Sequence, residues 1–164
     1  MTQFLEGLDS SGFSQWVRYS GSLWSYPTIL LLHTYGMGAL VGLVIAIDAR
    51  ILGLASSLPL VPLRRLFPMI WAAFWLNAVT GAMLLVSDAS RKVPNVDFWI
   101  KMILIILAVI NLRRIQALLG REPDNLQSVM PVRAKALAVI SIVCWLGAIT
   151  AGRLLAYVGS AQEF

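Results

Sequence analysis

Four long, mainly apolar runs, each bounded by polar or charged residues, limit what this chain can fold into. They cover about residues 23–47, 66–87, 98–119 and 134–158. A helix needs roughly 20 apolar residues to cross the hydrocarbon core of a bilayer. Only helices and closed barrels satisfy their backbone hydrogen bonds in lipid, and these runs lack the polar alternation of barrel strands. The sequence therefore predicts an all-α integral membrane protein, a four-helix transmembrane bundle.

The composition excludes the ordinary class of soluble globular domains. Of the 164 residues, 59% are hydrophobic and 13% are charged, compared with about 45–50% and about 25% in average soluble proteins. The mean hydropathy is +0.78. A soluble fold of this size would have too few charges to cover its apolar surface, whereas a bilayer removes that need. The lipid bilayer is therefore the first predicted partner.

The apolar runs divide the chain into three regions. Residues 1–22 form an N-terminal segment, residues 23–158 a four-helix transmembrane domain, and residues 159–164 a C-terminal tail. The first twenty residues include charged side chains and no apolar core region, so they are not expected to be a cleavable signal peptide. The first long helix is therefore expected to act as an uncleaved membrane anchor.

A short helix is predicted within the N-terminal segment. Ser11 is a favourable N-cap residue, and Phe13, Trp16 and Val17 follow at spacings that place them on one side of a helix. Such a helix lies in the membrane interface or folds over the mouth of the bundle. The sequence leaves both arrangements open, and we expect the interfacial one.

The lysine and arginine residues predict the orientation of the bundle. Eight lie in or beside the loops after the first and third runs, against five at the other end. Because cytoplasmic loops carry the excess of basic residues, we expect both termini in the periplasm and the chain in a bacterial inner membrane. The basic residues do not follow one polar face, so nucleic acid is not an expected partner. The eight are Arg50, Arg64, Arg65, Arg113, Arg114, Arg121, Arg133 and Lys135.

His33 is the only histidine and lies within the first apolar run. A neutral imidazole can bind haem iron through one nitrogen while the other is hydrogen-bonded. Gly36, at i+3, would leave room either for a flat macrocycle or for a close neighbouring helix. The alternative is a histidine hydrogen-bonded across the bundle to Thr80, to Asn77 or to a backbone carbonyl.

Arg153 and Lys101 lie near the same end of the fourth and third runs. A guanidinium inside a membrane needs anionic or carbonyl partners, because it keeps its charge. Asp88 and Asp97 in the nearby loop could supply them. The other partners would be a haem propionate, a lipid phosphate or a substrate carboxylate. Snorkelling of both side chains to lipid headgroups is equally compatible with the sequence.

Four segments together resemble an uncharacterised family of small bacterial four-helix membrane proteins: YPTILLLHTYGMGALVGLVIAIDARILG, WLNAVTGAMLL, FWIKMILIILAVIN and ITAGRLLAYVG. They lie between residues 26 and 159 and together contain 64 of the 164 residues. The arrangement is also distantly similar to CopD-like and cytochrome b561-like membrane proteins, at His33, at Thr80 with Gly81, and at Lys101 with Asn111. That second resemblance implies b-type haem or metal handling in the bundle. The chain departs from it in having one histidine rather than a pair.

The leading hypothesis is a b-type haem-binding membrane protein, possibly transferring electrons to or from a quinone or a partner protein. His33 would bind the haem iron. A sixth ligand would be Met83, Met102 or His33 of a second subunit, or the iron would be five-coordinate. The alternatives are a non-catalytic subunit of a larger membrane complex and a small-solute or metal carrier. The predicted cofactor-binding residues are His33, Gly36, Thr80, Lys101 and Arg153.

The remaining features set the expected partners and limit the chemistry. Gly38 and Gly42 form a GxxxG pair, which predicts a homo-oligomer or contact with partner subunits. Bound lipid or quinone is also compatible with the sequence. Asp48 and Arg50 are expected to be interface or pairing residues. With no carboxylate expected in the middle of a helix, and no Ser/His/Asp, Walker or HExxH pattern, neither a proton pump nor a stand-alone enzyme is favoured.

Overall fold

A computed structural model describes residues 2–54, 59–121 and 130–161. Within these ranges the regular secondary structure consists of eight α-helices. Four are long enough and apolar enough to cross a membrane, which confirms the predicted four-helix transmembrane bundle. The long helices are α3 (Tyr26–Leu52), α5 (Phe67–Val86), α7 (Val96–Arg121) and α8 (Val132–Ala161). The short helices are α1 (Thr2–Asp9), α2 (Gly12–Tyr19), α4 (Leu60–Arg64) and α6 (Ala89–Lys92).

Proline and glycine mark the ends of α3. Pro27 lies in the first turn, where a backbone N–H would have no acceptor within the helix, so proline removes no helical hydrogen bond. At the other end Gly53 adopts a φ of 92°, and its N–H donates to carbonyl oxygens of the last turn. The helix thus continues past Asp48 and Arg50, where the sequence indicated an end near residue 47. Both residues lie inside the helix, and their side chains are buried in the bundle.

The bundle is built from two long antiparallel pairs. Helix α3 packs along α5, α7 packs along α8, and α3 also contacts α8. The core occupies the half of the bundle beyond His33, toward the C-terminal end of α3. Fully buried side chains concentrate there: Leu40, Val44, Ile47, Ile51, Ile70, Leu112, Ile115 and Leu119. The opposite half, which holds the start of α3 and α7, is called the N-terminal end below.

The N-terminal segment docks on the bundle instead of extending away from it. Helix α1 packs against α6, and Asp9 accepts hydrogen bonds from the backbone N–H of Ala89 (2.8 Å) and Ser90 (3.3 Å). The buried hydroxyl of Ser14 in α2 donates to the Ser87 carbonyl over 3.1 Å. The segment therefore packs on the turn that follows α5. Its position in the membrane interface stays a prediction.

The predicted capping of α2 is confirmed, while α1 was not predicted. The Ser11 side chain accepts a hydrogen bond from the Ser14 N–H at the start of α2. Val17 is buried, whereas Phe13 and Trp16 are exposed. Helix α1 has only eight residues, too few to form a stable helix alone, and in the folded chain it packs against α6.

A cationic chamber at the N-terminal end

A cavity of about 450 Å³ opens between the helices at the N-terminal end, and we call it the chamber. Its size lies within the range of about 300–1,000 Å³ that is usual for small-molecule sites. One part of the wall is apolar, formed by Leu30, Leu84, Leu85, Phe98 and Leu155. The other part carries charge or a titratable ring, from Arg18, His33, Asp88, Arg91, Lys92 and Lys101. The chamber therefore combines an apolar wall with a cationic rim.

His33 projects from α3 into the chamber, and α5 fixes its ring. Its Nδ1 lies 3.0 Å from the Asn77 carbonyl oxygen and 3.1 Å from the Thr80 hydroxyl oxygen. The Thr80 hydroxyl donates its own hydrogen to the Leu76 carbonyl over 2.7 Å. Since both neighbours of Nδ1 then act as acceptors, we assign the ring hydrogen to Nδ1. Nε2 is left as the nitrogen with a free lone pair.

Two glycines next to His33 have different roles. A Cβ added at Gly81 would lie 3.0 Å from the His33 Cε1, so the imidazole rests directly on the backbone of α5. A Cβ added at Gly36 would lie 3.4 Å from the Asn77 backbone nitrogen. Gly36 therefore allows α3 and α5 to approach closely, and it does not line the chamber. The prediction that Gly36 leaves room for a macrocycle is wrong, because the neighbouring helix already fills that space.

Thr80 and Lys101 also lie where the sequence placed them, near His33. Thr80 is buried and positions the imidazole, as described above, without lining the chamber. Lys101 lies on the chamber wall and rests on α8, where its Nζ would be 3.4 Å from a Cβ added at Gly152. No residue in the described part of the chain forms a hydrogen bond or an ion pair with Lys101. This ammonium group therefore faces the chamber without a protein counterion among those residues.

Arg153 lies outside the chamber. It directly follows Gly152, but its side chain is exposed on the surface of α8 and does not line the cavity. Successive residues of a helix point about 100° apart. Because Gly152 faces Lys101, its neighbour must face away. The prediction of a buried guanidinium beside His33 is therefore wrong, and the exposed position fits the alternative of a side chain that extends to lipid headgroups.

Three cations that the sequence reasoning did not select complete the rim. Arg18 of α2 pairs with Asp88 over 3.3 Å, and the Arg91 Nε lies 3.9 Å from the same carboxylate. Lys92 donates to the Leu84 carbonyl over 2.5 Å. Burial lowers the pKa of Lys92, Asp88 partly opposes this effect, and nearby Lys101 and Arg18 lower the pKa further.

The charge on the lining is unbalanced. Among the described lining residues, Arg18, Arg91, Lys92 and Lys101 contribute four cations, against the single carboxylate of Asp88. Arg18 comes from the N-terminal segment and Arg91 and Lys92 from the turn after α5, so only the docking of α2 brings them together. A cluster of like charges around one cavity is favourable only when an anion neutralises it. The geometry is therefore suited to an anionic, largely apolar molecule.

The described residues offer limited means of holding a metal ion. Within the ranges given above, no three His, Cys, Asp or Glu side chains come together as a ligand set. Met83 and Met102, the predicted thioether ligands, do not line the chamber. His33 Nε2 is thus the single imidazole ligand that the chamber wall presents.

Comparison of the chain with known protein families, curated proteins and solved structures found no match. The similarity to CopD-like and cytochrome b561-like proteins stays a prediction.

Proposed function

We propose that this membrane protein binds b-type haem in the chamber, with His33 Nε2 as an axial ligand of the iron. The observation that carries the proposal is the fixed position of the His33 ring. Its Nδ1 lies 3.0 Å from the Asn77 carbonyl oxygen and 3.1 Å from the Thr80 hydroxyl oxygen, and its Nε2 has no hydrogen-bond partner among the described residues. Histidines that bind metals commonly donate their second N–H to a fixed acceptor, which sets the ring orientation and raises the ligand's basicity.

The rim supports the proposal through its charge. Haem b carries two propionate groups, and each needs a cationic partner when it leaves bulk water. Lys101 has no counterion among the described residues, and Lys92 and Arg18 line the same cavity. These three side chains would hold the propionates. Arg153, which lies on the outside of α8, has no part in the site.

The apolar wall would hold the macrocycle. Leu30, Leu84 and Phe98 line the chamber on three different elements, so they would exclude water from the parts of a flat apolar ring that pack against them. Haem supplies one-electron chemistry when bound. The residues of this chain would bind it, orient it through His33 and exclude water. Electron exchange with a quinone or a partner protein is the role that we propose.

The proposal is tested by absorption spectroscopy on protein purified in mild detergent and supplied with haem. We expect a Soret band in the wild type, its loss in His33→Ala, and its recovery when imidazole is added to that variant. Thr34→Ala is the matched control, because Thr34 neighbours His33 and its hydroxyl bonds within its own helix, to the Leu30 carbonyl. An equally strong band in His33→Ala would contradict the ligand assignment. Wild-type protein that takes up no haem would contradict the function.

A non-catalytic subunit of a larger complex is the second candidate. Gly38 and Gly42 have no described atom within 4 Å of an added Cβ, so the small-residue face of α3 is open to another helix. A colourless preparation that carries stoichiometric partner polypeptides would favour this function over haem binding.

The proposal includes an orientation. The excess of lysine and arginine at the end opposite the chamber supports a cytoplasmic position for that end, with both termini and the chamber mouth in the periplasm of a bacterial inner membrane.

A further inference from the structure

A second buried polar site lies in the opposite half of the bundle. Asp48 of α3 has an exposed fraction of 0%, and neither of its carboxyl oxygens has a hydrogen-bond partner among the described residues. Ser141 of α8 is equally buried, and its hydroxyl also lacks a hydrogen-bond partner in the part of the chain that the structure describes. Ser141 is the described side chain that interacts electrostatically with the Asp48 carboxyl, so the two groups are neighbours. They do not meet the geometry of a hydrogen bond. Two complementary orphan groups thus face each other between two membrane-spanning helices.

None of the charged groups considered among the described residues balances an ionised Asp48. The sequence of α5, which packs along α3, contains no charged residue. On α8, Arg133 is exposed at the helix start, Lys135 is partly exposed there, and Arg153 lies at the far end. Arg50 follows two positions later on α3, where side chains do not face each other, and it has interactions of its own. Within the described part of the chain, the Asp48 carboxyl is affected only by its burial and by the Ser141 hydroxyl.

An unpaired carboxylate in such surroundings is strongly unfavourable, because no counterion among the described residues compensates for the hydration that it loses on burial. A protonated carboxyl is neutral and gains an O–H donor. A metal ion is disfavoured as the occupant, since no group of three acidic, histidine or cysteine ligands exists in the described ranges. The proton is the one ligand that removes the charge and supplies the missing donor together.

We propose that Asp48 and Ser141 form a proton-binding site, in which the protonated carboxyl donates a hydrogen bond to the Ser141 hydroxyl and holds α3 against α8. One proton is taken from the aqueous phase and forms one O–H bond on Asp48. The carboxyl lies four residues before the last residue of α3, about 6 Å along the axis, so the path to water is short. The site is independent of the haem proposal.

Infrared spectroscopy tests the protonation directly. At neutral pH we expect the carbonyl band of a neutral carboxylic acid in the wild type, shifted in D₂O and absent in Asp48→Asn. Asp97→Asn is the matched control, since it makes the same change at the start of α7 and should leave the band in place. In Ser141→Ala the band should persist and move, because its hydrogen bond is lost. This second variant keeps the test decisive if Asp48→Asn does not fold.

Thermal unfolding in detergent supplies the second readout. Because the native state would hold a proton that the unfolded state releases at neutral pH, the midpoint of the wild type should fall as pH rises. Asp48→Asn resembles the protonated acid, so its midpoint should not show that fall. Absence of the neutral-acid band in wild-type protein would overturn the proposal. So would a band retained in Asp48→Asn, or a midpoint that depends on sodium ions and not on pH.

Discussion

The orientation of the His33 imidazole determines what the chamber can bind, and the absence of a side chain at Gly81 makes that orientation possible. His33 is held at Nδ1 by two acceptors, while its Cε1 lies against the backbone at Gly81. The sequence was sufficient to select His33, Thr80 and Lys101 as neighbours. It could not give the rotational position of α8, and for this reason it placed the exposed Arg153 in the site.

Gly81→Ala should weaken haem binding. The new Cβ would lie 3.0 Å from a ring that two hydrogen bonds keep from moving. Overpacking of this kind costs about 1–3 kcal/mol, more than the gain of about 0.5–1 kcal/mol from replacing glycine within a helix. A haem titration followed at the Soret band measures the loss.

Gly38→Ala is the control for that change, since no described atom outside its own stretch of helix lies within 4 Å of a Cβ added at Gly38. It should bind haem like the wild type. Equal affinities for the Gly81 and Gly38 variants would show that the imidazole moves freely, against the rigid site described here.

The long elements follow from the sequence more directly than the site does. Apolar runs define α3, α5, α7 and α8, because lipid demands continuous apolar length. The end of α3 was predicted too early, since Asp48 and Arg50 suggest a terminus when their burial is unknown. The docking of α2 could not be predicted from the sequence either, because nothing local to Arg18 shows that it pairs with Asp88, seventy residues away.

The docking of α1 on α6 should weaken in acid. Burial raises the pKa of Asp9, but hydrogen bonds from the Ser90 side chain and from the Ala89 and Ser90 N–H groups outweigh this, and the net pKa is below the ordinary 3.8. A carboxyl with a lowered native pKa stabilises the fold above its ordinary pKa, and this contribution disappears as pH falls below 3.8 through the native value.

Hydrogen exchange of the α1–α2 backbone measures this effect. Protection in the wild type should decrease as the pH falls below 3.8. Asp9→Asn should have reduced protection already at neutral pH and little further dependence. Glu6→Gln, an exposed acid on the same helix, is the control and should resemble the wild type. Protection that is constant across this range would show that Asp9 does not hold the segment.

On the scale of the whole molecule, the two halves of the bundle differ in what they contain. The half toward the C-terminal end of α3 is filled by apolar side chains and holds Asp48, whereas the N-terminal end opens into the chamber. Four of the five lysine and arginine residues at the N-terminal end line that cavity: Arg18, Arg91, Lys92 and Lys101. The eight lysine and arginine residues at the opposite end lie in or beside the loops, where basic residues determine the orientation of the chain in the membrane.

This distribution predicts the topology. A reporter enzyme that is active only in the periplasm should work when fused before Met1, after Phe164 or between α6 and α7. A fluorescent protein that matures only in the cytoplasm should glow when fused after Arg121. Changing both Arg113 and Arg114 to glutamine should reduce the orientation bias, because it removes two of the eight positive charges that would retain this end in the cytoplasm. Fluorescent fusions at the C-terminus would invert the assignment and place the chamber on the cytoplasmic side, so that any electron donor would have to be cytoplasmic.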